Sequence, residues 1–338
     1  MKEAYLYEKK DNKDVRCRNC AHYCNISSNK KGLCGVRENI GGKLYSLNYG
    51  KAIAVNVDPI EKKPLFHFLP GSYSLSVAAA GCNFRCLNCQ NYDISQGFKN
   101  AKEIPGENLK PEDIVKLALK NNLPSISYTY TEPTIFLEYA LDTMKIAREK
   151  GLKNVWVSNG FMSEESAKLV IPYLDANNID IKSFSDDFYK KNCGAKLKPV
   201  LETAKLMKKS GVWVEITTLV IPTLSDSEEM FRKIAKFIKK ELGSETPWHV
   251  TQFSGAISWK LQHLPTTSAQ TLKKAYNIGK EAGLKYVYTG NIPGLDSEDT
   301  FCPKCKSLAI KRTGYLIQRY DKDGRCKKCN QDLNLILK

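Results

Sequence analysis

Three things are scarce in this 338-residue sequence. No stretch approaches the run of about 20 apolar residues that spans a bilayer, so no membrane-crossing helix and no membrane partner are expected. The opening stretch "MKEAYLYEKKDNKD" lacks the apolar core of a secretion signal, so a soluble, cytoplasmic protein is expected. Acidic residues are the third shortage: 36 Asp and Glu stand against 52 Lys and Arg, a formal charge of +16. Such a surplus could attract nucleic acid or another polyanion. Yet the lysines of "KKSGVW" and "FRKIAKFIKKELG" fall on the outer faces of helical patterns, where solvation accounts for them. Nucleic acid is therefore an open partner, not a favoured one.

Cysteine, by contrast, is plentiful and ordered. Of the 12 cysteines, all but Cys193 fall into three groups: Cys17, Cys20, Cys24 and Cys34; Cys82, Cys86 and Cys89; and Cys302, Cys305, Cys326 and Cys329. In a reducing compartment such groups mean metal more often than disulfide. Cys193, in "KKNCGAK", reads as a helix-end or core residue.

The length allows a substantial core, as one large domain with attachments or two smaller ones. The middle of the chain alternates two periods. Apolar, β-branched runs at "SYSLSVAAA", "SISYTY", "NVWVSN", "NNIDIKSF", "VWVEITTLVIP", "WHVTQF" and "KYVYTG" read as strands. Between them lie helical segments. One begins at Glu132-Pro133 and carries Phe136, Ala140 and Met144 at fourfold spacing. Another buries Phe231, Ile234, Ala235 and Ile238, with Lys233, Lys236 and Lys240 pointing away. This repetition implies an α/β fold with a parallel sheet under covering helices; a partial (β/α) barrel and an open doubly wound sheet both fit.

In such folds active sites gather at the C-terminal ends of strands. The CxxxCxxC of "GCNFRCLNCQN" follows the first strand, "TYTEP" the second and "SNG" the third; "IDIKS" lies in the fourth and "QFSG" closes the sixth. In the fourth, Ile179 and Ile181 take one face while Asp180 and Lys182 take the other. Opposite charges in a barrel lumen need partners or a ligand; an edge strand with a wet face is the plainer alternative.

The tail spacing, CPKC and CKKC joined by a hairpin-like segment, is that of a zinc ribbon, with rubredoxin-type iron as the competing metal. The four N-terminal thiolates suit tetrahedral zinc or an auxiliary iron-sulfur cluster. His22 is expected as a neighbour of these ligands. The segment "EKKPLFHFLPGS" is expected to link the N-terminal region to the barrel, with His67 as a core residue rather than a substrate contact. These divisions give three parts: 1–70, a Cys-rich metal-binding region and linker; 71–295, the barrel; and 296–338, the ribbon-like tail.

Three clustered thiolates leave one iron of a [4Fe-4S] cluster without a protein ligand, open to a small molecule, whereas electron-carrying clusters usually have four. Here the sequence resembles the radical SAM superfamily, whose members share CxxxCxxC after the first strand of a partial TIM barrel. Phe84, Asn88 and Asn91 around the cysteines resemble the activating-enzyme branch, typified by pyruvate formate-lyase activating enzyme. Within it, "CAHYCNISSNKKGLCGVREN", "YTYTEPTIFLEYALD", "NIDIKSFSDDFY" and the tail are most similar to the radical SAM member of the AmmeMemoRadiSam system. The resemblance covers essentially the whole chain.

It implies a partial (β/α)6 TIM-type barrel flanked by two cysteine-rich modules. It implies Cys82, Cys86 and Cys89 as ligands of a [4Fe-4S] cluster, with S-adenosylmethionine cleaved to a 5'-deoxyadenosyl radical that abstracts hydrogen from an unidentified, macromolecular substrate. Thr131 and Glu132 stand where the superfamily has a Gly-Gly-Glu stretch that contacts the cofactor's amino group, its glycines replaced by Tyr130 and Thr131. Asp180 and Lys182 match the Asp-x-Lys of activating enzymes, whose lysine contacts the carboxylate. Ser158, Asn159 and Gly160 match a turn near the cofactor, with Val157 where the activating enzyme has an aspartate of a monovalent cation site. Ser254 stands near a cofactor-touching histidine of that branch.

Implied partners are a low-potential electron donor of ferredoxin or flavodoxin type and, from the family name, Memo-like and AMMECR-like proteins. Zinc is expected in the tail. Two other functions fit parts of the pattern. One is tRNA modification, as in the related wyosine-forming enzymes; the other is a non-catalytic iron-sulfur and zinc scaffold that binds nucleic acid or senses redox state.

Overall fold

The computed structural model describes residues 1–101, 103–292, 294 and 296–338. Its centre is one sheet of eight strands: β1 (Ala54–Pro59), β2 (Tyr73–Ala78), β3 (Ser125–Tyr128), β4 (Lys153–Ser158), β5 (Ala176–Asp180), β6 (Trp213–Val220), β7 (Trp248–Gln252) and β8 (Val287–Gly290). Strands β2 to β8 lie side by side in chain order, all parallel, and correspond to the seven apolar runs of the sequence. Each of the first six is followed by a covering helix: α1 (Pro111–Lys120), α2 (Leu137–Glu149), α3 (Glu164–Val170), α4 (Leu197–Lys209), α5 (Glu228–Phe237) and α6 (Ala269–Glu281). Ser163, Ser227 and Ser268 cap α3, α5 and α6 by accepting from backbone N–H groups of the first turn.

Strand β1 was not expected from the sequence. It pairs antiparallel with β2 over its whole length, so residues 54–59 belong to the sheet and not to a linker. The sheet ends at β1 and β8, and these edges are not paired with each other among the described residues. The barrel is therefore open along one side.

The two faces of the sheet differ in chemistry. Alternation along in-register parallel strands puts Ser74, Ser76, Ser127, Asn178, Asp180, Glu215, Thr217, His249 and Thr251 on one face. Leu75, Val77, Ile126, Trp156, Ile179, Ile216 and Val250 take the other and join the main core with Ile114, Met144, Val200, Ile234 and Leu272 of the helices. The lumen is polar, and the apolar burial that holds the fold lies outside it.

Residues 64–69 plug the bottom of that lumen. The backbone N–H groups of Phe66 and His67 donate to the two carboxylate oxygens of Glu215 at 3.0 and 2.9 Å, and Asn178 Nδ2 donates to the Pro64 carbonyl at 2.7 Å. Leu65 and Phe68 pack on Val155 and Ala176. His67 is completely buried, with Nε2 2.7 Å from the Tyr288 hydroxyl and Nδ1 against the backbone carbonyls of Leu333 and Asn334.

The N-terminal region forms two small antiparallel sheets beside the barrel rim. It is locked on by a buried pair, Arg37 to Glu138 of α2 at 2.6 Å, and by Asn19, which donates to the Thr134 carbonyl. The tail is an antiparallel hairpin, Leu308–Thr313 with Leu316–Arg319, joined by Thr300–Phe301. Its last residues pair with the plug: Leu69 N donates to Ile336 O at 2.7 Å and Ile336 N to His67 O at 2.8 Å. No helix among the described residues is long and apolar enough to cross a membrane.

Candidate functional site

The loop after β2 turns at Gly81. Its φ of 112° suits glycine alone, and a Cβ there would meet Val36 Cγ1 at 2.9 Å. Cys82, Cys86 and Cys89 follow, each partly exposed. Neighbouring segments hold the loop through its backbone. Arg85 N donates to Cys193 O at 2.8 Å and Leu87 N to Asn192 O at 2.9 Å, while Trp259 N donates to Cys89 O at 3.1 Å and Lys260 N to Leu87 O at 2.8 Å. Phe84 anchors it inward against Phe161 and Tyr189. Tyr92 stacks on Trp259 with ring centroids 4.0 Å apart.

Cys193 is the residue the sequence reading undervalued. It is fully buried at the end of a π-helical turn, Tyr189–Cys193, as a helix-end core residue would be. Its thiol neighbours Cys86, and that proximity, helped by the Lys182 ammonium, draws the Cys86 thiol below its ordinary range, while Cys193 is pushed well above. Burial pushes Cys82 and Cys89 up. Only the solitary position of Cys193 marked it in the sequence; the contact needs the chain to fold across more than a hundred residues.

Glu132, 1% exposed, is the hub of the adjoining strand ends. Its Oε1 accepts from Thr134 N at 3.0 Å, Thr134 Oγ1 at 2.6 Å and Ser158 Oγ at 2.9 Å, and its Oε2 from Asn159 N at 2.7 Å. Burial pushes its carboxyl up, and these four donors oppose the shift. Asn159 Nδ2 donates to Asn83 Oδ1 at 2.7 Å and lies 3.9 Å from Cys82 Sγ, which ties the turn after β4 to the cysteine loop. Tyr130 takes φ 63°, the left-handed backbone that glycine adopts freely. Asn91 Nδ2 donates to its carbonyl at 2.8 Å, and Thr131 Oγ1 donates to Ala79 O at 2.7 Å.

At the end of β5, Lys182 Nζ lies 2.7 Å from Asp180 Oδ2. β5 is a central strand, which disposes of the wet-edge alternative. Burial works against the Lys182 charge, but Asp180 and the thiols of Cys86 and Cys193 hold it well above the ordinary lysine range. Ser254 lies past the end of β7, before the turn Gly255–Ile257 that leads into residues 258–260 against the cysteine loop. The structure thus gathers Cys82, Cys86, Cys89, Glu132, Ser158, Asn159, Asp180 and Lys182 at one rim, with Thr131 and Ser254 at its border.

The cysteine groups differ in compactness. The sulfurs of Cys302, Cys305, Cys326 and Cys329 lie within 4.8 Å of one another, and among the described residues this is the one group of metal-ligating side chains so close. Four thiolates that near suit a single tetrahedral ion, zinc or iron. Cys82, Cys86 and Cys89 share one short loop, and a set of three thiol donors fits a [4Fe-4S] cluster with one iron left open. Cys17, Cys20, Cys24 and Cys34 line one small cavity together with His22, Asn83 and Arg37. Arg37, already paired with Glu138, has its Nε buried without a hydrogen-bond partner, and thiolates of a metal centre would supply an acceptor. His22 neighbours these cysteines on the cavity wall, with its Nε2 2.8 Å from the Asn83 carbonyl.

Comparison with known proteins accords with this rim. Residues 77–238 match the family model described as the Radical SAM superfamily. Over the full length of both chains the protein is 47% identical to the uncharacterized protein MJ0808 of Methanocaldococcus jannaschii. It is 25% identical to the pyruvate formate-lyase-activating enzyme of Clostridium pasteurianum, over 60% of this chain and 87% of that one. Among solved structures, a radical SAM methyltransferase from Sphaerobacter thermophilus aligns with a TM-score of 0.49 and 13% identity, covering 65% of this chain and 67% of the other. The chain carries a radical SAM domain over residues 77–238, with relatives named pyruvate formate-lyase-activating enzyme.

Proposed function

We propose that this protein is an activating-enzyme-like radical SAM enzyme, in which Cys82, Cys86 and Cys89 hold a [4Fe-4S] cluster and the neighbouring rim binds S-adenosylmethionine. When bound, the cluster would supply the electron that breaks a carbon-sulfur bond of S-adenosylmethionine, giving the 5'-deoxyadenosyl radical that abstracts hydrogen from a macromolecular substrate. The observation that carries the reading is the convergence of three partly exposed thiols, the Asp180–Lys182 pair and the Glu132 network at one end of a parallel barrel.

In this reading Lys182 presents a charge to the cofactor's carboxylate, and Asp180 fixes where that charge sits. Thr131 and Glu132 take the amino end, with Ser158 and Asn159 holding the Glu132 carboxylate in place. Ser254 borders the pocket from the β7 side. A ferredoxin- or flavodoxin-type donor supplies electrons, and Memo-like and AMMECR-like proteins act with the enzyme. The tail cysteines hold zinc and the N-terminal four hold zinc or a second iron-sulfur cluster. The N-terminal cysteine-rich region, the barrel with its edge strand β1 and plug, and the tail from residue 296 act as metal module, catalytic barrel and ribbon. A scaffold that only binds nucleic acid would have no use for a partly buried ion pair beside the cluster loop.

The test is anaerobic reconstitution, addition of S-adenosylmethionine and a strong reductant, and quantification of 5'-deoxyadenosine. The intact protein should produce it and a variant with Cys82, Cys86 and Cys89 all changed to Ala should not. No product from a protein with a loaded cluster and bound S-adenosylmethionine would overturn the reading.

A further inference from the structure

One face of the tail hairpin is taken up by the barrel. Arg312 donates from Nη2 to the Phe66 carbonyl at 2.9 Å, with its guanidinium over the ring of Tyr288. Ile317, its partner across the hairpin, lies beside Gly71. Alternation then turns Leu316 and Gln318 the other way, and Tyr320, whose N–H still donates to Ala309 O at 2.8 Å, continues that row. All three are exposed, Leu316 to 78% and Tyr320 to 37%. The strand that carries them pairs only with the first strand of the hairpin among the described residues.

The positive charge of the chain is concentrated in the same segment. From residue 300 onwards stand ten Lys and Arg against three Asp and no Glu, so about a ninth of the sequence carries seven of its sixteen net charges. Four thiolates around one divalent ion in the tail return two negative charges and leave most of that surplus. On the barrel helices lysines are answered one turn away, Lys168 by Glu164, Lys190 by Asp186 and Lys233 by Glu229. In the tail Asp299 answers Lys311 and Asp321 answers Arg319. Lys304, Lys322, Lys327 and Lys328 are exposed and have no ion pair among the described residues. Lys327 and Lys328 also line a depression of about 290 Å³ together with Tyr320, Leu308 and Ala309. Cationic side chains thus flank an aromatic one at a concave, partly apolar spot.

We propose that this outer face of the tail binds single-stranded RNA, with an unpaired base stacked on Tyr320 in the depression and the flanking phosphates on Lys322, Lys327 and Lys328. A duplex answers the charge but keeps its bases from the ring, and an acidic polypeptide answers the charge alone. Unpaired bases are the ordinary state of RNA loops and ends, which decides the kind of nucleic acid. The surface requires neither the cluster nor S-adenosylmethionine. It therefore stands or falls apart from the radical reading.

The test is fluorescence anisotropy of the full, metal-loaded chain with a labelled RNA strand of about 12 mixed-sequence nucleotides, at about 50 and about 200 mM salt. Binding should be saturable and should weaken as salt rises. Lys327→Ser combined with Lys328→Ser should weaken it at least tenfold and lower the salt slope by about 1.4, the share of two single-strand phosphates. Tyr320→Leu should weaken it at least fivefold while leaving the salt slope as it is. Lys233→Ser combined with Lys236→Ser removes the same charge from α5 and should bind as the natural protein does, and so should the variant lacking Cys82, Cys86 and Cys89. The proposal is overturned if no saturable binding is seen, or if either tail variant binds undiminished. It is equally overturned if the α5 variant loses as much as the tail pair, which would make the binding a property of the overall charge. Displacement of the strand by polyglutamate or by the RNA duplex as readily as by unlabelled strand overturns it too, and loss of binding with the three cysteines would move the RNA to the rim.

Discussion

The Lys182 ammonium lies 2.7 Å from Oδ2 of Asp180, whose carboxylate holds it well above the ordinary lysine range against the cost of burial. A flexible lysine is thereby fixed beside the cysteine loop with its charge intact.

This pair gives the first expected outcome. Lys182→Ala should weaken S-adenosylmethionine binding by about tenfold or more, equivalent to about 1.4 kcal/mol, because no other ammonium is held at that point of the rim. Asp180→Asn should have a smaller effect of the same sign, since the charge remains and only its placement is lost. Equilibrium dialysis with labelled S-adenosylmethionine measures both, and equal affinity in Lys182→Ala would remove the lysine from the site.

A second outcome concerns the joint between the N-terminal region and the barrel. Arg37 and Glu138 are both essentially inaccessible, with the guanidinium also donating from Nη1 to Glu138 Oε1 at 3.1 Å. Arg37→Met strands a buried carboxylate and should destabilise the protein by about 3–5 kcal/mol. Adding Glu138→Gln should restore part of the loss, because the stranded charge then goes. Urea unfolding of the single and double variants provides the comparison.

The pH dependence of stability has a defined sign at His67. Burial among the plug, β8 and the tail lowers its imidazole to about 4 from an ordinary 6.5. The unfolded chain therefore binds the proton more readily than the native one does. The contribution is complete above about pH 6.5 and is lost as the pH falls towards 4, on the order of 3 kcal/mol in all. Urea midpoints across that window should fall for the natural protein and fall less steeply for His67→Gln.

The tail metal offers a fourth check. Cys326→Ser removes one of four sulfurs that lie within 4.8 Å of one another. About one equivalent of zinc or iron per chain should be lost by elemental analysis, and limited proteolysis should then cut within the hairpin, since so short a segment has little apolar core of its own. Retention of the metal in that variant would mean that Cys326 is not a ligand.

Much of this architecture was legible in the sequence because it is local. Seven apolar runs became seven parallel strands, and the helices from Glu132-Pro133 and around Phe231 formed where their fourfold spacing put them, the first after a 3-10 turn over Pro133–Phe136. CxxxCxxC and the paired CxxC knuckles were readable for the same reason: a ligand set on one short loop needs no long-range information. The alternation of Ile179 and Ile181 with Asp180 and Lys182 placed the charges on the lumen face before any strand order was known.

β1 escaped because "AVNVDP" shows little burial of its own: Val55 and Val57 are exposed on an edge strand. Cys193 escaped because its partner is more than a hundred residues away.

The sequence by itself determined the seven parallel strands, the grouping of the cysteines and the polar strand ends, which follow from periodicity and from spacing along one stretch of backbone. Only the tertiary structure decided which of these meet. It set Cys193 beside Cys86, Arg37 on Glu138, and the tail hairpin against the plug and β8 through Arg312. Those contacts depend on how a long chain closes on itself, and that is fixed by the packing of the whole core and by no single segment.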